Sequence, residues 1–345
     1  MDGRLGLRHE PARQRRGALD WIDRYGDLDG DGYVEYKTRS ARGIRNQGWK
    51  DSYDAISYRD GRPAEPPIAL SEVQGYVYAA KCHAASFYTH WGEPARAAAL
   101  RAEAEALRVR FERDFWQEAE GYYAMALDAA KQPVVSVGSN AGHLLWTGIV
   151  SPARATQVVR RLVAPDMLCG WGVRTLSSAE PTFNPMSYHN GSVWPHDNAL
   201  AAAGMRRYGF EREALEVVSQ VFAAGVRFPG YRLPELYCGF TRDRHYHSLP
   251  ADYPVSCRPQ AWAAGSVFLL LQQALGLRPD LEGRRVVLRP RLAAGTRTLS
   301  LRRLAILGSQ LDLDVRADDG RAHVGVQGDG RPGVLVEGDD VSVLV

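Results

Sequence analysis

The sequence predicts a mainly α-helical chain closed by a small β module, and three observations carry that prediction. Apolar residues recur at three- and four-residue steps through most of the chain up to Leu275. Prolines stand where these runs begin, as at Pro94, Pro152 and Pro195. After Leu277-Arg278-Pro279-Asp280 the texture changes to short, often alternating apolar segments divided by Gly and Asp.

Taken in order, Arg13 to Tyr25 reads as a short amphipathic helix ending at Gly26. Pro66-Pro67 opens a second, in which Val73, Val77, Ala80, Ala84 and Phe87 form one stripe until Gly92. Glu93-Pro94 starts a third, to about Phe115. Ser139–Ile149, Pro152–Leu162, Pro195–Tyr208, Glu211–Val226 and Pro259–Leu275 supply five more, joined by loops that hold most of the Gly, Pro, Trp and His residues. Strands follow at Val286–Leu288, Leu299–Leu301, Gln310–Val315, His323–Val326 and Val334–Val336. The expected division is a tail over 1–12, a helical domain over 13–277 and a β module over 278–345. That module has no aromatic platform, which favours packing against the last helices over a separate carbohydrate-binding role.

With 345 residues and 45% apolar composition the chain can bury a large core. A net charge of +3, from 43 basic and 40 acidic residues that are scattered along the chain, argues against nucleic acid as a partner. Only four of the basic residues are lysines, Lys37, Lys50, Lys81 and Lys131, a bias from which no function follows. Cys82, Cys169, Cys238 and Cys257 follow neither a disulfide framework nor a paired zinc pattern, so reduced thiols and a cytoplasmic location are expected. The N-terminus has no apolar export core, and no run approaches the ~18 apolar residues of a membrane span.

Two carboxylates stand out because each is set among aromatic and hydrogen-bonding residues: Asp51 in Asn46-Gln47-Gly48-Trp49-Lys50-Asp51-Ser52, and Glu235 in Arg232-Leu233-Pro234-Glu235-Leu236-Tyr237-Cys238. Glycoside hydrolysis asks for such a pair, one carboxyl protonating the departing oxygen while the other activates water or attacks the sugar. Glu235, flanked by apolar neighbours and tyrosines, is the expected base; a salt bridge to Arg232 or Arg242 is its alternative. Tyr188, His189, Trp194, His196 and Asp197 concentrate donors, acceptors and flat rings just before a helix, where Gly191 would let backbone approach a sugar. His189 and His196 lack a zinc pattern, so hydroxyl binding is expected of them. Trp49, Trp171, Arg174, Gln74, Tyr76, Gln260 and Trp262 complete the expected cleft; for the last five, packing or helix-to-helix bonding is the alternative. Asp27, Asp29, Asp31 and Glu35 imitate the start of a calcium loop, but the twelfth position is Thr38, so an Asp-rich turn is the better reading. No cofactor is called for.

Asn46 to Asp51, Pro67 to Tyr76, Trp171 to Thr175, Asn184 to Asn198 and Arg258 to Trp262 together resemble the catalytic region of bacterial amylo-alpha-1,6-glucosidases, the glycogen-debranching type. The resemblance runs from about residue 15 to beyond 290. It implies an (α/α)6 toroid, which the alternation of helices and loops suits, and an inverting hydrolysis of alpha-glucosidic linkages in an oligo- or polysaccharide. Trp49-Lys50-Asp51 resembles the general-acid segment of these families, which makes Asp51 the acid, partly desolvated beside Trp49; Asp54 competes, on the same face if the segment begins a helix. A closed toroid has twelve helices and about eight are legible, so the expectation is an incomplete toroid, a chain lacking about four earlier helices and the family's N-terminal β domain, and marginal by itself. A trehalase-like or oligosaccharide-trimming glucosidase, and a noncatalytic sugar-binding remnant, are the rival readings.

Overall fold

The computed structural model describes residues 17–243, 245–246, 248–280, 283–292, 295–318, 321–328, 333–337 and 341–344, the last four by backbone only. The described part of the first expected helix is helical from 17 and closes in a π turn, Ile22–Gly26; residues 13–16 of it lie outside the described residues. Seven α-helices follow among the described residues: α1 Ser71–His90, α2 Pro94–Asp114, α3 Asn140–Thr147, α4 Pro152–Leu162, α5 Pro195–Arg207, α6 Glu211–Gly225 and α7 Ala261–Leu275. Proline occupies the first turn of α2, α4 and α5, where its missing N–H costs no hydrogen bond.

Two helices start later than the sequence suggested. Pro66-Pro67 does not open α1, because Ala69–Leu70 (β1) pair antiparallel with Ala126–Leu127 and hold the backbone extended up to Leu70. Likewise Gln260 is extended, at φ −131° and ψ 131°, so α7 begins at Ala261 rather than Pro259. The remaining short pairing joins Trp116–Gln117 (β2) to Tyr122–Tyr123 (β3), Ala126–Leu127 being β4.

Helices α1, α3, α5 and α7 form a row, each packed on the next, while α2, α4 and α6 lie against α1, α3 and α5. Small residues bring α3 and α5 together: a Cβ on Gly142 would stand 2.7 Å from that of Ala201. Leu107, Phe111, Leu144, Leu145, Val158 and Val217 are among the buried residues that fill the space between the layers.

The β module follows at once. Arg278–Asp280 (β5), Arg285–Leu288 (β6) and Gly333–Val336 (β10) make a three-stranded sheet in the order β10-β6-β5. Thr298–Ile306 (β7), Ser309–Asp318 (β8), Arg321–Gly328 (β9) and Val341–Leu344 (β11) make a second, in the order β11-β9-β8-β7. Leu311, Leu313 and Val315 alternate inward on β8 and meet Val286, Leu288 and Val324 in a core shared with Leu275 of α7. The pairings of β5 and β11 were not legible in the sequence. No helix of the described residues is long and apolar enough to cross a membrane.

Candidate active site

All four helices of the row turn their N-terminal ends toward one region. Glu72 (α1), Asn140 (α3), His196 and Asp197 (α5) and Trp262 (α7) lie in their first turns. The loops around them are laced together by isolated antiparallel bridges, Arg174 to Val193, Val193 to Tyr237 and Tyr237 to Asp252.

Asn46 shapes the loop that carries Asp51. Its amide donates to the Ser52 and Tyr53 carbonyls at 2.7 and 3.3 Å, and its Oδ1 accepts from Tyr36 at 2.9 Å. Lys50, fully enclosed, donates to Asn140 Oδ1 at 2.7 Å and the Thr175 carbonyl at 2.8 Å. Burial pushes its ammonium down to about 8, against Asp197 and Glu72, which favour the charge. With Lys50 turned inward, Asp51 is exposed, not pressed against Trp49 as expected. Asp54 is exposed too, and its segment forms turns rather than a helix; its carbonyl accepts from Asn190 and Ser57.

Glu235 is buried, and its hydrogen bonds come from neutral groups. The Tyr188 hydroxyl donates to Oε1 at 2.9 Å, Gln260 reaches the same oxygen at 3.5 Å, and the Cys257 N–H donates to Oε2 at 3.2 Å. Burial, then the Glu235 carboxylate, push the Tyr188 phenol up, and Asp51 adds to the push, so this phenol feels both carboxylates.

Trp49 is the centre of a nest of rings. His143 stacks on it at 5.5 Å and 8°, while His189, Trp194 and His196 meet it edge-on at 5.7, 5.7 and 4.9 Å. Trp262 lies flat on His196 at 4.1 Å. His189 Nδ1 bonds Ser52 Oγ at 2.9 Å, and burial pushes both His189 and His196 down to about 3. His143 Nε2 bonds Asp197 Oδ1 at 2.8 Å and its Nδ1 bonds the Tyr76 hydroxyl. Tyr76 also borders a cavity of about 500 Å³ lined by residues of α1 and α3 with Arg207, a lining that includes neither Asp51 nor Glu235.

Several expected site residues have their polar groups or ring faces taken up by protein partners. Gln74 is spent on the Val34 N–H and carbonyl and the Leu70 carbonyl. Arg174 is buried and donates to Gly239, Asp166 and Thr241. Trp171 is enclosed beneath Arg227 and Arg242. Trp194 spends its N–H on the Tyr188 carbonyl and Ser192 Oγ. Gly191 approaches backbone, not an open cleft: at φ 149° a Cβ would fall 2.5 Å from the Asn184 carbonyl oxygen. In the Asp-rich loop Asp27, Asp29 and Glu35 present oxygens within 4.8 Å of one another. The Lys131 ammonium sits among these acids, 2.7 Å from both Asp29 and Asp31 and paired with Glu35.

Lys50, Glu72, Asn140 and His143 were missed by sequence reading. Glu72 lies two residues before Gln74 inside a motif already singled out, and Lys50 stands between Trp49 and Asp51. All four cysteines are free.

Residues 18–239 match the family model described as mannosylglycerate hydrolase MGH1-like glycoside hydrolase domain. Among solved structures, the chain is similar to the GH63 mannosylglycerate hydrolase from Thermus thermophilus in complex with glucose, at 20% identity and a TM-score of 0.47, over 59% of this chain and 48% of that one. It is similar to neutral trehalase from Saccharomyces cerevisiae at 16% identity and a TM-score of 0.47, over 65% and 41%. Similarity to the GH78 family rhamnosidase of Bacillus sp. GL1, at 14% identity and a TM-score of 0.63, spans 96% of this chain and 30% of that one, a likeness of fold through helices and sheets together. The chain thus spans about half the length of the mannosylglycerate hydrolase or less of these proteins. No curated protein matches it.

Proposed function

The chain belongs to the MGH1-like glycoside hydrolase family, and from that premise we propose that it hydrolyses an alpha-glucosidic linkage with inversion, Asp51 acting as general acid and Glu235 as general base. The observation that carries the reading is the setting of Glu235: a buried carboxylate bonded only by neutral partners, with Tyr188 between its field and that of Asp51. A buried carboxylate with neutral donors but no cation beside it is costly to keep, and activating water is a task that accounts for keeping it.

In this reading Asp51, open to solvent at the mouth, meets the departing oxygen, and Glu235 takes a proton from the attacking water on the opposite face of the sugar. Inversion needs about 6.5 to 9.5 Å between the two carboxyls to admit that water. The row of four helices is then part of an (α/α)6 toroid, and the β module braces its last helix. The motif resemblance supports a glucan substrate of the amylo-alpha-1,6-glucosidase type. The family match supports a short glycoside such as mannosylglycerate.

A panel of maltose, isomalto-oligosaccharides, branched dextrin, trehalose and mannosylglycerate, with the product anomer followed by NMR, tests both substrate readings. Asp51→Asn and Glu235→Gln should each lower turnover about 10²- to 10⁴-fold with the fold intact. Wild-type rates in either variant would remove that residue from its role.

A further inference from the structure

Three consecutive side chains reach both Glu235 and the loop that carries Asp51. Tyr188 donates its hydroxyl to Glu235 Oε1 at 2.9 Å. His189, next in the chain, takes two hydrogen bonds from Ser52 at Nδ1, from the N–H at 3.3 Å and from Oγ at 2.9 Å. Asn190 then donates its amide to the Asp54 carbonyl at 3.1 Å. The direction of the His189 bonds is fixed, because a backbone N–H can only donate: Nδ1 is the accepting nitrogen, and the proton of the neutral ring sits on Nε2. With two donors on its one lone pair, Nδ1 has nothing left for a sugar hydroxyl, the task the sequence suggested, and Nε2 is buried.

The tripeptide is itself pinned. The Tyr188 carbonyl accepts from Ser192 Oγ at 2.6 Å and from Trp194 Nε1 at 2.9 Å. The Asn190 N–H donates to Ser187 Oγ at 3.1 Å, and its carbonyl accepts from the Asn184 N–H at 2.8 Å. His189 is 1% exposed and Asn190 5%, and the His189 ring lies flat on Trp194 at 5.0 Å and 14°. Asp51, by contrast, is exposed, so its place is set by the residues on either side of it: Lys50, bonded to Asn140 and Thr175, and Ser52, latched to His189. A carboxyl that must meet a departing oxygen depends on such support, since a small misplacement costs much of the rate.

We propose that Tyr188-His189-Asn190 is the strap that fixes the acid loop relative to the base, with His189 and Asn190 as positioning residues that act on Asp51 through Ser52 and Asp54 rather than as sugar ligands. The proposal rests on the reading of Asp51 as acid and Glu235 as base.

The leaving group separates these roles. Fluoride departs with little help from a proton, whereas a sugar or alkyl alcohol needs one, so a misplaced acid slows a glycoside and spares the α-glycosyl fluoride of the same sugar. Both substrates still need water activated. The glycoside is the one of the panel that the wild-type chain cleaves fastest. His189→Phe keeps the ring and deletes the acceptor; it should lower kcat for that glycoside about 10- to 100-fold, leave KM within about twofold and change hydrolysis of the fluoride less than about threefold. His189→Asn, whose Oδ1 can stand where Nδ1 does, should recover most of the loss. Ser52→Ala should show the same selectivity at smaller size, and adding it to His189→Phe should cost less than about twofold more, because the two changes break one contact. Tyr188→Phe, at the base end, should slow both substrates alike.

Equal slowing of glycoside and fluoride by His189→Phe, or a raised KM with kcat unchanged, overturns the proposal. So do additive losses in the double variant, wild-type rates in Tyr188→Phe, or, should His189→Phe fail to fold, a wild-type kcat in Ser52→Ala. Asp51→Asn is the reference. If it slows the glycoside and spares the fluoride while His189→Phe does not, the strap fails alone; if it slows neither, or the wild-type chain cleaves neither substrate, the acid assignment fails and the strap with it.

Discussion

His189 and His196 carry a pH dependence that follows from where they sit. Both are pushed down to about 3 by burial, whereas an unfolded histidine titrates near 6.5. Between those values the unfolded chain binds more protons, so stability should be full above about 6.5 and fall as pH drops toward about 3. Melting temperature followed across that window checks this, and His196→Gln should flatten the slope. Lys50 acts at the other end. Held down to about 8 against an ordinary value of 10.5, it makes stability rise as pH climbs between them, and Lys50→Met should remove that rise. At Glu235, the Tyr188→Phe variant deletes one donor and should reduce kcat about tenfold, with the fold unchanged; a wild-type kcat would mean that the phenol does not position the base.

The loop from Asn46 to Asp54 behaves as one element because a single amide closes it. Asn46→Ala leaves the Ser52 carbonyl and the Tyr36 hydroxyl without their partner, and should cost about 1–3 kcal/mol of stability together with most of the activity. Denaturant unfolding and a turnover assay read the two effects separately. Gly239 is a stricter case: a Cβ there would lie 1.7 Å from the Gly191 carbonyl oxygen, so Gly239→Ala should destabilise by about 2–4 kcal/mol by forcing two loops of the site apart. How much of this was legible depends on where each residue's partner sits. Helix limits could be read at Pro152 and Pro195, where the signal is local, but not at Ser71, where a pairing with Leu127 and Ala126 sets the start. The motifs come together in one region of the fold. They did not separate Gln74 and Arg174, which tie backbone together, from Glu72 and Lys50, which face the nest, because a polar residue's role is decided by partners such as Asn140 and Thr175 that lie far along the chain.

Across the whole molecule, helices and sheets are joined through Arg206. It donates to the Arg289 carbonyl at 2.6 Å and lies 3.7 Å from Glu211, which also meets Arg291 at 3.0 Å. Arg206→Ala should lower stability by about 1–3 kcal/mol and, in calorimetry, separate the melting of the β module from that of the helices; a single unshifted transition would show that the shared core around Leu275 suffices. A different kind of robustness is built into the Asp-rich loop. Tyr36, beside Glu35, hands the conformation of that loop to Asn46, and three of the acids there are paired with Lys131. A diffusible ion would stabilise in proportion to its free concentration. An ammonium carried on the same chain arrives at fixed stoichiometry and cannot be sequestered. Melting temperature should therefore be the same with and without a strong chelator, while Lys131→Met should lower it, so that the geometry presenting Asp51 is set by translation and not by the ionic supply of the medium.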